Sequence, residues 1–160
     1  MFPALLTLAC ASAGAEQLTG IDDWCEAIFA ANVVFEPLVG ELFRSHLVQQ
    51  IAPRNGDFVT PTVVGAAEYD YAERDLRYTT AMFGLLTTDR EFAADNKALL
   101  ASWLANWVPQ ALDAARKLQP LWSQTDAKPP RFEDSLDAAK SRFAGILTDL
   151  HLEIPKELAQ

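Results

Sequence analysis

Glycine is scarce in this chain, with 7 among 160 residues, and no segment alternates apolar and polar residues over the length of a strand. Alanine and leucine, which both favour helix, are abundant instead. Apolar residues make up 50% of the sequence and charged residues 22%, a balance typical of a globular rather than a disordered chain. The sequence therefore predicts an all-α fold, with a length that suits one domain or a piece of one.

An excess of positive charge is also lacking. The net charge of −9 and the pI near 4.6 argue against nucleic-acid binding, which needs a basic surface. No apolar run reaches the roughly 20 residues of a membrane-spanning helix, so we expect no membrane association. The apolar segment 1–15 imitates a secretory signal, but no Lys or Arg precedes its apolar run. We expect a buried helix end there, and a secreted helical protein is the alternative.

Cysteine and catalytic motifs are equally sparse. Cys10 and Cys25 lie in apolar segments that look helical, which favours reduced, buried thiols and a cytoplasmic location. The histidines are His46 and His151, and the sequence contains no Glu-x-x-His, Gly-x-Ser-x-Gly, phosphate-binding glycine loop or Cys-x-x-Cys. We therefore predict no catalytic, cofactor-binding or metal-ligating residue in this chain.

Two long helices, at about 23–50 and 60–87, are predicted around a tight turn at 53–57. The middle of the first is apolar nearly all round, which is typical of a helix buried on every side. Pro37 should kink it near Val33. Thr60 is expected to cap the second helix, with Pro61 in its first turn. Helical spacing then aligns one stripe: Glu68, Tyr71, Asp75, Tyr78 and Met82.

The polar residues of the first helix, Asn32 and Glu36, should be buried and hydrogen-bonded, with Glu36 facing that stripe. Further helices are expected up to 118, and Pro109 should kink or split the third. Trp103 and Trp107 form an aromatic face that suits the core or an interface. We divide the chain into a partial bundle, 1–124, and a linker, helix and arm, 125–160.

Residues spaced over several helices resemble the beta (small) hydroxylase subunit of bacterial multicomponent di-iron monooxygenases, of the propane and cyclic-ether type. The resemblance covers about 22–124. It is carried by Trp24, Asn32-Val33-Val34-Phe35-Glu36-Pro37-Leu38, Arg54-Asn55-Gly56-Asp57, Asp75-Leu76-Arg77-Tyr78, Trp103, Trp107-Val108-Pro109, Ala111, Ala114 and Pro120-Leu121-Trp122.

The resemblance implies a ferritin-like helical subunit that binds no iron. It would pair with an alpha hydroxylase subunit whose di-iron centre activates dioxygen and hydroxylates a hydrocarbon such as propane. A reductase would supply electrons from NADH, and a coupling protein would assist. The missing Glu-x-x-His agrees with the beta role. The family's bundle has another helix pair upstream, which implies a truncated reading frame here. An unrelated helical interaction module is the alternative.

Without that upstream pair, we expect the first helix to lack cover and the chain alone to self-associate, bind a hydrophobic dye or aggregate. The expected subunit interface is aromatic. Its residues are Phe29, Phe43, Tyr69, Phe83, Trp103 and Trp107.

Overall fold

The computed structural model describes residues 16–123 and 130–159, and over these ranges the chain is helical, without a strand. The all-α prediction is confirmed. Five helices form the fold. Helix α1 runs continuously over 24–51, α2 over 59–88, α3 over Ala93–Lys117, α4 over Gln119–Ser123 and α5 over Phe132–Asp149. Short 3-10 turns occupy Gln17–Gly20, Ala52–Asn55 and Lys156–Ala159.

An aspartate side chain accepts backbone hydrogen bonds at the beginning of each of the first three helices. Asp23 accepts hydrogen bonds from the backbone N–H groups of Cys25 (2.8 Å) and Glu26 (3.4 Å), which fixes the start of α1. Asp57 does the same for α2, accepting from Val59 at 3.0 Å and Thr60 at 2.9 Å. Helix α2 therefore begins at Val59, and the prediction that Thr60 is its cap was wrong.

The turn between α1 and α2 depends on a glycine. Gly56 has φ of +82°, a left-handed conformation that costs a residue with a Cβ but not glycine. At the next turn, Asp89 accepts from the N–H groups of Glu91 and Phe92 before α3 begins at Ala93. Helix α3 then continues through Pro109, so this proline does not split the helix, which was one of the two predicted outcomes.

Both long helices contain π-helical turns, in which a backbone N–H bonds the carbonyl five residues earlier. In α1 they cover Phe29–Gly40 and Leu42–Val48, and the N–H of Glu41 bonds the carbonyl of Glu36. In α2 they cover Tyr71–Leu76. The disturbance predicted around Pro37 therefore takes the form of a widened helix.

Pro37 has no N–H, so the carbonyl five residues earlier, that of Asn32, lacks its π-helical donor. The Tyr71 hydroxyl of α2 donates to this carbonyl instead, at 2.8 Å. One hydrogen bond thus compensates for the proline and joins the two helices.

Helix α1 is the centre of the fold. Helices α2, α3 and α5 all pack extensively against it. Many of its apolar residues are fully buried, among them Phe29, Val33, Val34, Leu38 and Leu42. The prediction that α1 would lack cover was wrong, because the C-terminal helices wrap around it.

Aromatic contacts connect α1 to its neighbours. The ring of Phe29 meets that of Phe83 edge-on at 5.0 Å and lies 5.8 Å from that of Trp103. The ring of Phe35 lies 6.2 Å from that of Trp107, and Trp107 also donates its indole N–H to Glu26 at 2.8 Å. These contacts place the aromatic face of α3 in the core.

Helix α5 starts at Phe132, within the predicted region 125–160, and packs on α1. The segment 1–15, with Cys10, and most of the expected linker lie outside the described residues. The boundary at 124/125 stays a prediction. Cys25 is a free thiol. None of the helices described is both long and apolar enough to cross a membrane.

Candidate functional site

Charged side chains from α1 and α2 meet between the two helices. Arg44 of α1 donates from Nη2 to Glu36, two turns earlier on the same helix. Its Nε donates to Oε2 of Glu68 on α2 at 2.9 Å. One guanidinium therefore binds two carboxylates and links the helices, using the forked geometry that distinguishes arginine from lysine.

Helix α5 adds a second arginine. Nη1 of Arg142 lies 2.7 Å from Oε1 of Glu41 and 3.8 Å from Oε1 of Glu68. The resulting set joins three helices, and we call it the ionic network. It consists of Glu36, Glu41, Arg44, Glu68 and Arg142.

A missing side chain makes room for the network. A Cβ at Gly40 would collide with the carboxylate of Glu36 and lie 3.0 Å from Nη1 of Arg44. A larger residue at this position would therefore oblige the side chains of Glu36 and Arg44 to move. Here the need is space, since Gly40 has no positive φ.

The network is largely withdrawn from water. The side chains of Glu41, Glu68 and Arg44 are 10%, 15% and 20% exposed, whereas that of Glu36 keeps 34%. Burial alone would lower the pKa of Arg44, but its bonds to Glu36 and Glu68 outweigh this and raise the pKa. Buried charges persist only when they are paired in this way.

Tyr71 lies beside the network, with the guanidinium carbon of Arg44 5.9 Å from its ring centre. The pKa of Tyr71 is raised well above its ordinary value, first by burial and then by the nearby Glu36 carboxylate. Its hydroxyl therefore stays protonated and remains a donor to the carbonyl of Asn32.

Asn32 and Glu36 are both hydrogen-bonded, as the sequence predicted, but both are only partly buried. Asn32 donates to Thr79 at 3.0 Å, and Thr79 is fully buried. Glu36 binds Arg44, which also binds Glu68, and Glu36 lies near Tyr71, so it faces the Glu68 and Tyr71 part of the predicted stripe. The stripe assumed a regular α-helix, and the π turns of α2 move the buried face to Tyr71, Thr79 and Phe83.

The donor groups do not fit a di-iron centre. Such centres in helix bundles use carboxylates together with Glu-x-x-His histidines. Here Glu36 and Glu68 bind Arg44, Asp75 binds its neighbour Arg74 at 2.8 Å, and Tyr78 is 64% exposed. Over the described ranges, no group of three or more His, Cys, Asp or Glu side chains is placed to hold a metal ion.

The six residues predicted for the subunit interface lie in different environments. Phe29 and Phe83 are fully buried within the chain, and Trp103 and Trp107 are at most 9% exposed. Phe43 is partly buried, whereas Tyr69 is 67% exposed. Tyr69 is thus the one of the six placed on the surface, and the interface itself stays a prediction.

Sequence reasoning missed Arg44, Arg142 and Gly40. The ion pair of Glu36 could have been inferred from spacing, because Arg44 follows Glu36 by two turns of a wide helix. Nothing in the sequence connects Arg142 to the first helix pair, since that contact depends on how α5 returns to α1.

Known proteins resemble this chain closely. A sequence profile of the methane/phenol/alkene hydroxylase family matches residues 13–90. The small subunit of the hydroxylase component of propane 2-monooxygenase from Rhodococcus jostii is 57% identical over 145 residues, which is 91% of this chain and 39% of that subunit. The same subunit from Mycolicibacterium goodii is 55% identical over 143 residues, covering 89% and 39%.

A more distant relative is the beta chain of methane monooxygenase component A from Methylococcus capsulatus, 27% identical over 105 residues, or 66% of this chain and 27% of the relative. The chain is therefore similar in sequence to the methane, phenol and alkene hydroxylases. It is a homologue of the small hydroxylase subunits, which confirms the resemblance and argues against an unrelated helical module. It spans 39% of the length of the propane 2-monooxygenase small subunits it matches.

Proposed function

We propose that this chain serves as a non-catalytic part of the hydroxylase component of a soluble di-iron monooxygenase. The observation that carries the proposal is its identity of 57% to a propane 2-monooxygenase small subunit over 91% of its length. The hydrocarbon oxidised by the complex is then propane or a similar small alkane, and the complex works in the cytoplasm.

In this proposal the di-iron centre lies in an alpha hydroxylase subunit, where it activates dioxygen. A reductase delivers electrons from NADH, and a coupling protein assists. The ionic network supports a structural role for this chain, because the arginines Arg44 and Arg142 engage the inward carboxylates that a metal ion would need. The chain would contribute shape and contact area to the complex.

The test is co-expression of the chain with an alpha hydroxylase subunit of a propane monooxygenase. We expect the two to co-purify, with iron present in the complex and below one atom per chain when the chain is purified alone. Adding the reductase, the coupling protein, NADH and propane should give propanol. Two tightly bound irons in the isolated chain, or full activity of the alpha subunit without any small subunit, would contradict the proposal.

A further inference from the structure

The side of α2 that points away from α1 is exposed along most of its length. Between 62 and 85, twelve residues are exposed, and ten of them form pairs at equal sequence distances from the midpoint between Glu73 and Arg74. We call these ten residues the outer face of α2. The pairs are Thr62 with Leu85, Ala66 with Ala81, Tyr69 with Tyr78, Asp70 with Arg77 and Glu73 with Arg74.

Charge follows the same symmetry with opposite signs. Asp70 and Glu73 precede the midpoint, and Arg74 and Arg77 follow it. In the single chain these groups pair along the helix, Arg77 with Glu73 at 2.9 Å and Arg74 with Asp70 at 4.0 Å. Arg74 also binds its neighbour Asp75 at 2.8 Å, and this acid lies outside the outer face and has no symmetric counterpart. A second copy running antiparallel would bring its two arginines beside the two acids of the first, and its acids beside the arginines. The surface is therefore complementary to itself.

The uncharged positions of the outer face suit a helix contact. Tyr69, Tyr78 and Leu85 are 67%, 64% and 74% exposed. Burying such large side chains in a contact would be favourable, because it removes apolar surface from water. Tyrosine is a preferred anchor at interfaces. Ala66 and Ala81 are small enough to let two helices approach to the usual 8–10 Å, a generic packing distance. The 24 residues from 62 to 85 extend over about 36 Å.

We propose that the outer face of α2 binds the same face of a second copy of this chain, with the helices antiparallel and a two-fold axis between Glu73 and Arg74. The symmetric charge pattern selects this occupant, because a different partner would not need acids and bases arranged about one point. The proposal goes beyond the role in the hydroxylase and does not depend on it.

Paired charge reversals test the proposal. One variant, Arg74→Glu with Arg77→Glu, makes the centre of the face wholly acidic, and the other, Asp70→Arg with Glu73→Arg, makes it wholly basic. Each alone should self-associate at least tenfold more weakly than the unaltered chain, as measured by sedimentation velocity. An equimolar mixture of the two should regain the dimer, because unlike faces then meet.

The control is Arg90→Glu with Arg131→Glu, which changes the net charge equally at two exposed residues away from α2. It should dimerise like the unaltered chain, and far-ultraviolet circular dichroism of each variant reports whether it is folded. A monomeric unaltered chain at 100 µM overturns the proposal. So does a dimer that both reversals leave intact, since another surface or another occupant would then explain the exposed face.

Cross-linking tests the orientation. In a Cys10→Ser and Cys25→Ser background, Ala66→Cys combined with Ala81→Cys should give a disulfide-linked dimer on mild oxidation. Ala66→Cys alone should not, because the two copies of position 66 would lie about 22 Å apart in the antiparallel arrangement. Efficient linkage by the single variant would indicate parallel helices and refute the two-fold axis.

Discussion

Replacing Tyr71 with phenylalanine tests how the chain tolerates Pro37 in its central helix. The change removes the hydroxyl that donates to the carbonyl of Asn32 and keeps the ring beneath Arg44. Tyr71 is 4% exposed, so water does not easily replace the lost donor. Leaving a buried acceptor without its partner costs about 1–3 kcal/mol.

That free energy is measurable. For a chain of this size, each kcal/mol lowers Tm by about 2–4 °C. Urea unfolding followed by far-ultraviolet circular dichroism would give the free energy of unfolding directly. Tyr78→Phe is the matched control, since Tyr78 is 64% exposed and its loss of a hydroxyl should change stability by less than about 0.5 kcal/mol.

A double-mutant cycle then identifies the cause. Pro37→Ala restores an N–H at the position where the π-helical donor to Asn32 is missing. In that background, Tyr71→Phe should cost clearly less than in the unaltered chain. If Tyr71→Phe costs no more than Tyr78→Phe, or if Pro37→Ala leaves its cost unchanged, the hydroxyl does not compensate for the proline and the reasoning is wrong.

Two further outcomes are expected. Gly84→Ala should stabilise the chain by about 0.5–1 kcal/mol in urea unfolding, because the added Cβ meets open space. Gly40→Ala should give no such gain, because its Cβ displaces the adjacent ion pair. Equal gains in the two variants would contradict the steric role of Gly40. The pKa of Tyr71 is raised in the folded chain, so its contribution to the free energy of unfolding is complete below the unfolded pKa of about 10 and is lost as pH rises above it. Stability should therefore fall above pH 10, and it should fall less in Tyr71→Phe.

Composition and helical spacing were enough to predict the class of fold and the two long helices. They could not predict the register of α2 beyond Asp70, because the extra residue of a π turn comes from backbone hydrogen bonding and leaves no mark in the apolar pattern. This is why Tyr78 was expected in the helix pair, whereas Thr79 lies there.

The packing of α1 was harder to predict. Its apolar circumference correctly indicated burial, but sequence alone does not say which helix covers which side. Phe29 was therefore expected at a subunit interface, although it packs against Phe83 and Trp103 inside the chain. A charged residue at position 29 would destabilise the fold before it could report on assembly.

The ionic network has a consequence for how the bundle withstands a change of medium. A metal that binds carboxylates can dissociate, and chelators unfold proteins whose helices depend on one. Arg44 is instead a counter-ion covalently attached to α1, and its guanidinium keeps its charge at any pH a cell experiences. The helix pair thus carries its neutralising charge from synthesis onward.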